Sequence, residues 1–411
     1  MKIAFIIEYF FPFDKGGSEW STYYLAKDLV KKGHEVTIIT PNYGGKKEEV
    51  LDGIKLIRTP FYKKLKNFSI VPGNFFFTNP LFIIWNTIVL YFYLQREKPT
   101  IINIHGKYSV PSVRLANIFL KLPLTATIRD YIVICNYGIC LMKSKKSCNI
   151  KDYFKKDFSI YCSLYVANKN KLNYFKNIIF SIWGRFSTNV LKYSLKGVNL
   201  TVLSPIQEEI FNTNGLKNTQ QIYNSLRFSH QYNQTKKQDI FVYAGRLTPG
   251  KGVGVLINAL PDLLKSYPKY QFIFAGDGIL KTKLQKIARK NTNIKILGNI
   301  NHKELLKLFA KAKICLAPAI WPEPFGRVML ESISCGTPVI VGERAGLAKI
   351  IDGKWGLAIN PNKKNIMNAI KTIIKTDFFT RKIKKDYDKI SNTFSDSVTD
   401  KYLTLYNTLV K

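Results

Sequence analysis

No hydrophobic run in this 411-residue chain is long enough to cross a bilayer. The most apolar stretch, LFIIWNTIVLYFYL at residues 81–94, falls short of the ~20 residues a spanning helix needs. It fits either a buried helix or an interfacial segment dipping into lipid. Nor does MKIAFIIEYFFPFDKGG read as a secretory signal: its short apolar run carries Glu8 and ends in a glycine turn instead of a small-residue cleavage site. The stretch reads better as a first β-strand. Cysteine is sparse, six in all, at Cys135, Cys140, Cys148, Cys162, Cys315 and Cys335. The first four cluster at spacings that match no common zinc pattern, which leaves a metal or disulfide there as the lesser alternative. Cys315 and Cys335 sit in apolar runs and read as small core residues. The default is a reduced, cytoplasmic protein.

Acidic residues are scarce as well. There are 27 Asp and Glu against 63 Lys and Arg, a formal net charge of +36 at pH 7. Charge of that size concerns partners more than fold: nucleic acid, an anionic membrane surface or phosphorylated substrates. The excess is spread along the chain, which also abounds in Asn and Ile, so part of it is compositional bias. That spread weighs against nucleic acid as a partner.

What is present is a two-fold series of strand and helix signals. IAFIIEY (3–9) reads as a strand, 18–32 as a helix ending at Gly33, and EVTIITP as a second strand, which together make a β-α-β unit. GIKLIRT, TIINIHG, LTATIRDY and LTVLSP continue the series. Residues 1–216 are therefore expected to form a parallel α/β domain. The polar stretch 217–238 suits a linker. IFVYAGRL, YQFIFAG, NIKILGN, ICLAPA, TPVIVG and GLAIN make a second α/β domain over 239–378, with terminal helices over 379–411. Two such domains create a cleft where their strand ends bind ligands. Residues 151–196 interleave lysine with aromatics. That pattern fits aromatic helix cores, single-stranded nucleic acid stacking or an anionic lipid surface, and lipid is the favoured ligand reading.

In the second domain, FVYAGRLTPGKGVGVLINAL runs from a strand through a glycine-rich turn into a helix, a setting that favours phosphate. Arg246 and Lys251 flank the turn as cationic donors for a diphosphate. Gly245 to Lys251 matches the first half of a P-loop, but position 252 is Gly where the Mg²⁺-binding hydroxyl belongs. Asp277 reads as a turn residue. Further on, Pro322 and Pro324 stiffen the backbone around Glu323, and Gly326 opens a helix that carries Glu331 about 7.5 Å along its axis. A phosphate at that helix start would leave Glu331 near a ribose diol and Glu323 near a sugar. Each carboxylate alone reads as a helix-dipole or loop acid. Together with the two cations they point to a nucleotide-sugar.

These residues resemble a family, the retaining glycosyltransferases of the GT-B fold in the large group 1 / family 4. The resemblance rests on FPFDKGGSEW, YAGRLTPGKG, FAGDG, and EPFGRVMLE followed by SCGTPVIV, and it covers nearly the whole chain. It implies two Rossmann-like domains, a nucleotide-sugar held mainly by the second, no metal or other cofactor, and a C-terminal helix returning to the first. By position it implies Arg246 and Lys251 on the donor diphosphate, Glu331 on the ribose, and Glu323 on the sugar with Phe325 and Gly326 nearby. Gly16 and Gly17 would form the loop approaching the phosphates. His105, in NIHG, would end a strand facing the cleft; its alternative is a loop histidine without a role. Where relatives often have His-Asp after the strand LTATI, this chain has Arg129 and Asp130, which points to a charged acceptor. The segment GLAKIIDG departs as well. The resemblance implies a retaining, metal-independent hexosyl transfer in glycolipid or polysaccharide synthesis. The basic, aromatic first domain directs it toward a lipid-linked acceptor at the cytoplasmic membrane face. A P-loop-like hydrolase and a non-catalytic sugar- or lipid-binding relative are the alternatives. The Asp-x-Asp signature of a metal-dependent transferase appears only at Asp386 and Asp388, in a basic helical stretch where it reads as helix surface.

Overall fold

The computed structural model describes residues 1–13, 16–61, 74–135, 174–228 and 230–411. Its strands are β1 (Lys2–Ile6), β2 (Glu35–Pro41), β3 (Glu48–Leu51), β4 (Ile54–Thr59), β5 (Ile101–Ile104), β6 (Leu124–Thr127), β7 (Asn199–Val202) and β8 (Thr219–Gln221). These are followed by β9 (Ile240–Ala244), β10 (Gln271–Ala275), β11 (Ile294–Gly298), β12 (Ile314–Ala317), β13 (Val339–Gly342) and β14 (Gly356–Ile359). Two compact units result: Met1–Ser225 with Asp396–Lys411, and Leu226–Ser395.

The first unit holds the sheet β3-β4-β2-β1-β5-β6-β7-β8 and the second β11-β10-β9-β12-β13-β14. Every pairing is parallel except β3 with β4. Parallel strands covered by helices on both faces must be apolar throughout, and β1 and β9 are, with Ile3, Ala4, Phe5 and Phe241, Val242, Tyr243 all buried. In both sheets the order reverses once, between β1 and β5 in the first and between β9 and β12 in the second. At such a switch point adjacent crossovers lie on opposite faces, which opens a crevice at the strand ends.

Four boundaries differ from the sequence reading. The first strand stops at Ile6; Ile7 N–H still bonds the Ile39 carbonyl at 3.1 Å, and just beyond it Glu8 accepts from the backbone N–H of Ser109. Residues 217–238 are not all linker, since β8 pairs with β7 as the edge of the first sheet; an edge strand faces solvent and can be polar. The second unit extends to Ser395, so residues 379–395 belong to it, with Phe379 in its core. Only the last helix, Asp396–Val410, joins the first unit, where Val398, Tyr402, Leu405 and Tyr406 pack with Ile3, Phe5, Leu29 and Ile38. Asn103 on β5 donates to the buried Tyr406 hydroxyl at 2.7 Å and accepts from Thr127 at 3.1 Å.

The apolar stretch 81–94 lies in the helix Pro80–Glu97, which Asn79 caps by accepting from the Leu81 N–H. It is one-sided rather than fully buried. Phe82, Ile83, Leu90 and Leu94 face inward, while Leu81, Ile84, Trp85, Ile88 and Phe92 form an exposed stripe at helical spacing. No described helix is long and apolar enough to cross a membrane. The 151–196 reading is described only from the helix Tyr174–Ser194 onward. Cys140, Cys148 and Cys162 lie outside the described residues, and Cys135, Cys315 and Cys335 are buried.

Candidate active site

The second unit's switch point brings together the turn after β9 and the loop after β12. Gly245 enters the first turn at φ +138, and a Cβ on the neighbouring Gly276 would sit 2.0 Å from the Gly245 carbonyl. The turn then winds through Pro249–Lys251 into the helix Val253–Ser266. Gly252 joins them at φ +78, and a Cβ there would lie 1.8 Å from the Pro318 carbonyl oxygen. Serine or threonine cannot stand at that position, so the P-loop hydroxyl is excluded by backbone contact and not merely by a substitution. The Gly250 carbonyl accepts from Ile320 at 3.0 Å and Trp321 at 3.2 Å, tying the turn to the loop after β12.

Through that tie Lys251 and Glu323, 72 positions apart, form an ion pair, and the Lys251 ammonium lies 5.3 Å from the centre of the Trp321 ring. The Glu323 carbonyl accepts from Gly346 at 2.7 Å, which fixes the backbone behind the carboxylate. Lys251, Glu323, Gly326 and Met329 line one recess. Gly326 turns into the helix Arg327–Ser334 at φ +82, where a Cβ would meet the Met329 sulfur at 2.5 Å. Phe325 is buried, its ring 6.3 Å from that of Phe394. Arg246 is exposed at the mouth of the turn, its carbonyl taking the Tyr243 hydroxyl at 2.7 Å.

Glu331 lies one turn into that helix and is only 4% exposed. Arg327 Nε donates to its Oε1 at 2.6 Å, and His302 Nε2 lies 2.9 Å from the same oxygen. Burial alone would raise its pKa, but the His302 hydrogen bond and the Arg327 charge outweigh it and hold the carboxyl below the usual range. Asp277 is a turn acid, bonded by Gly278 N–H at 2.7 Å and Lys281 at 2.6 Å. Asp386 is not open surface: it accepts from the Trp355 indole at 3.0 Å and from Lys382 at 2.9 Å.

The first unit's switch point gathers a second polar set. Glu8 Oε1 accepts from Ser109 N–H at 2.8 Å, and a Cβ on Gly106 would sit 2.1 Å from Glu8 Oε2. Burial raises the Glu8 pKa, with Lys107 offsetting part of the effect. His105 is 4% exposed, with Nδ1 3.2 Å from Thr22 Oγ1, its ring centre 4.2 Å from that of Phe5, and Nε2 without a hydrogen-bond partner. Burial and the charge of Arg129 push its pKa well below the ordinary value, so it stands neutral. Arg129 donates through Nε to Asn224 at 3.0 Å, while its Nη1 has no partner. Asp130 is engaged by Lys107, and its Oδ1 takes the Ile132 N–H at 2.9 Å. Burial disfavours the Lys107 ammonium, but Asp130 more than restores it. Gly16 precedes the helix Gly17–Lys31 at φ +153, and Gly17 is its first residue. Glu8, Lys107 and His302 were not read from the sequence, because their partners lie 23 to 101 positions away. Two signals were available: Arg327 four positions before Glu331, a readable helical pair, and Glu8, a carboxylate just past an apolar strand.

Comparison with known proteins bears on these two sets. Residues 225–391 match the family Glycosyl transferases group 1, and residues 15–156 match Glycosyltransferase Family 4. The chain is 22% identical to a component of the human phosphatidylinositol N-acetylglucosaminyltransferase, over 91% of this chain and 68% of that protein. A match with the gpi3 component of the same enzyme in Schizosaccharomyces pombe, 27% identical, spans 39% of this chain and 34% of that one. An uncharacterized glycosyltransferase of Methanocaldococcus jannaschii is 26% identical over 88% of this chain and 86% of its own. The structure superposes on the catalytic domain of starch synthase IV from Arabidopsis thaliana with a TM-score of 0.70 at 15% identity, covering 100% and 99% of the two chains. On Anabaena HepE in complex with UDP and glucose the TM-score is 0.64 at 16% identity, covering 99% and 100%. The two family matches take in β2 to β6 of the first sheet and every strand of the second, and the chain belongs to the group 1 / family 4 glycosyltransferases with the GT-B fold.

Proposed function

We propose that the chain transfers a hexosyl group from a nucleoside-diphosphate sugar to a lipid-linked acceptor, with retention of anomeric configuration and without a metal, at the cytoplasmic face of a membrane. One observation carries the donor half: a cation on the turn after β9, Lys251, is paired with the carboxylate Glu323 on the loop after β12, with Glu331 held ionised one helical turn beyond. Lys251 and Arg246 would take the diphosphate. Glu331, with His302 and Arg327 both on Oε1, would offer Oε2 to the ribose hydroxyls, and Glu323 would bond the sugar. As the sugar–phosphate bond loosens, charge grows on the departing diphosphate, where fixed cations stabilise it most. A phosphate oxygen could then accept the acceptor's proton. Neutral His105 suits a hydroxyl partner better than a charge, and Arg129, with an unpartnered nitrogen, suits an anionic group on the acceptor.

The acceptor half draws on the exposed stripe of the helix Pro80–Glu97, on the net charge of +36, and on the phosphatidylinositol named for the human relative. The test is transfer from UDP- and GDP-sugars in EDTA to a polyprenyl-phosphate glycan and to phosphatidylinositol, with the product's anomeric configuration read by NMR. An α-linked product from an α-linked donor is expected. An inverted product, dependence on added metal, or ATP hydrolysis without transfer would overturn the reading.

A further inference from the structure

The first unit carries a second recess, away from the switch point. It is lined by Phe61, Phe76, Leu81, Phe82 and Trp85, with Asn79 at its edge, and measures about 520 Å³. That falls within the ~300–1,000 Å³ typical of small-molecule sites. Its walls are a continuous set of ring contacts. Phe61 and Phe76 lie 5.3 Å apart, Phe76 and Phe82 4.6 Å, and Phe82 and Trp85 5.6 Å between ring centres. The Asn79 side-chain oxygen is spent on the Leu81 N–H at 2.9 Å as the helix cap. Among the described residues the lining is apolar, which suits hydrocarbon.

Two further observations fix the kind of hydrocarbon. Leu81 and Trp85 belong both to the recess and to the exposed stripe, which continues through Ile84, Ile88 and Phe92, so the mouth opens onto the stripe. The stripe runs on to the neighbouring helix Val110–Leu120, where Tyr91 and Phe119 are 6.1 Å apart and Ile118 and Phe119 are exposed. Around it basic residues predominate. The helices Val110–Leu120 and Tyr174–Ser194 carry Arg114, Arg185 and Lys192 and no acid, while Arg96 and Glu97 at the end of Pro80–Glu97 are tied up with Glu48 and Lys55.

The geometry points to a binding site for the single apolar chain of an anionic amphiphile, entered from the exposed stripe, with the chain in the aromatic recess and the head group at the basic surface of the neighbouring helices Val110–Leu120 and Tyr174–Ser194. It rests on the lipid-linked acceptor proposed above and names where that acceptor's chain is held. A prenyl and an acyl chain share the required chemistry. The full-length protein is titrated with farnesyl phosphate and dodecyl phosphate, each below its micelle concentration, and with ethyl phosphate as the chain-free control. Tryptophan fluorescence and calorimetry give the affinities. Either chain-bearing probe should bind at least tenfold more tightly than ethyl phosphate, the tighter of the two identifying prenyl or acyl. Leu81→Gln and Trp85→Gln, both at exposed positions and so compatible with folding, should each weaken chain binding about tenfold. Ile88→Gln, on the stripe but outside the recess, should change it less than twofold. Equal affinity for all three phosphates, or equal loss in all three variants, overturns the site. Nucleotide stabilisation is measured on the same samples. If it persists while chain binding is absent, only this inference fails; if both are absent, the donor reading fails with it.

Discussion

Lys251 sits between Glu323 and the face of Trp321, so its ammonium is anchored from two sides before any diphosphate arrives. Replacing it by alanine removes the charge proposed to meet the leaving group, and turnover should fall about 10²–10³-fold. Circular dichroism should show the fold retained; unimpaired turnover would remove Lys251 from the chemistry. Glu331→Gln keeps the shape but takes the charged partner from Arg327 and His302. Nucleotide affinity should drop at least tenfold, in keeping with the ~1.5–3 kcal/mol of a hydrogen bond to a charged group, and calorimetry reads the change. His105 yields a pH prediction. Its folded pKa is depressed by burial and by Arg129, so in acid the unfolded chain binds a proton that the folded chain refuses. The stability present above the unfolded value of about 6.5 is therefore lost as pH falls through it toward the folded pKa. Between pH 7.5 and 5.5 the melting temperature should fall further in the wild type than in His105→Gln; equal falls would contradict this. At this scale the sequence was legible where the chemistry is local. Arg246 and Lys251 share one turn, and Glu323 and Glu331 are separated by a single helix start. It was silent about Glu8 with Ser109 and Glu331 with His302, pairs that only the folded topology brings together.

The strands were legible one level up, because a parallel strand covered on both faces must be a run such as IFVYA. The strands missed are the two edges of the first sheet, β3 and β8, whose partial exposure admits EEVL and TQQ. Asp52 and Gly53, at φ 52 and 80, form the hairpin turn after β3, and that Asp-Gly pair was a readable signal. The end of β1 was not readable, since Glu8 just beyond it bonds a residue far along the chain. Two predictions belong to elements. Gly252→Ala forces a Cβ against the Pro318 carbonyl in left-handed backbone. Strain of that kind costs about 1–3 kcal/mol before the clash is added, so the denaturation midpoint should fall clearly or the chain should fail to fold. Wild-type stability would contradict the turn geometry. Tyr406→Phe leaves the buried Asn103 amide short of an acceptor and loosens the last helix, at about 1–3 kcal/mol by urea denaturation.

Taken whole, the molecule is a pair of doubly wound sheets, each with its chemistry gathered where strand order reverses. The pairing of the last helix with the first unit comes from apolar spacing in DSVTDKYLTLYNTLV that the sequence showed as a helix, while its exact start at Asp396 depended on packing. The charge excess acts at the same scale. Vesicles rich in phosphatidylglycerol should retain the protein at low salt, release it as salt screens the attraction, and retain it less when the lipid is phosphatidylcholine. Retention independent of lipid charge would contradict a cationic membrane face. The most direct test of the central claim is thermal stabilisation of the purified chain by UDP, GDP, dTDP and ADP in EDTA, beside Lys251→Ala and Glu331→Ala. The account predicts a shift with one nucleotide series, reduced in the first variant and lost in the second. No shift with any diphosphate, together with a shift from Mg-ATP that both variants keep, would contradict it.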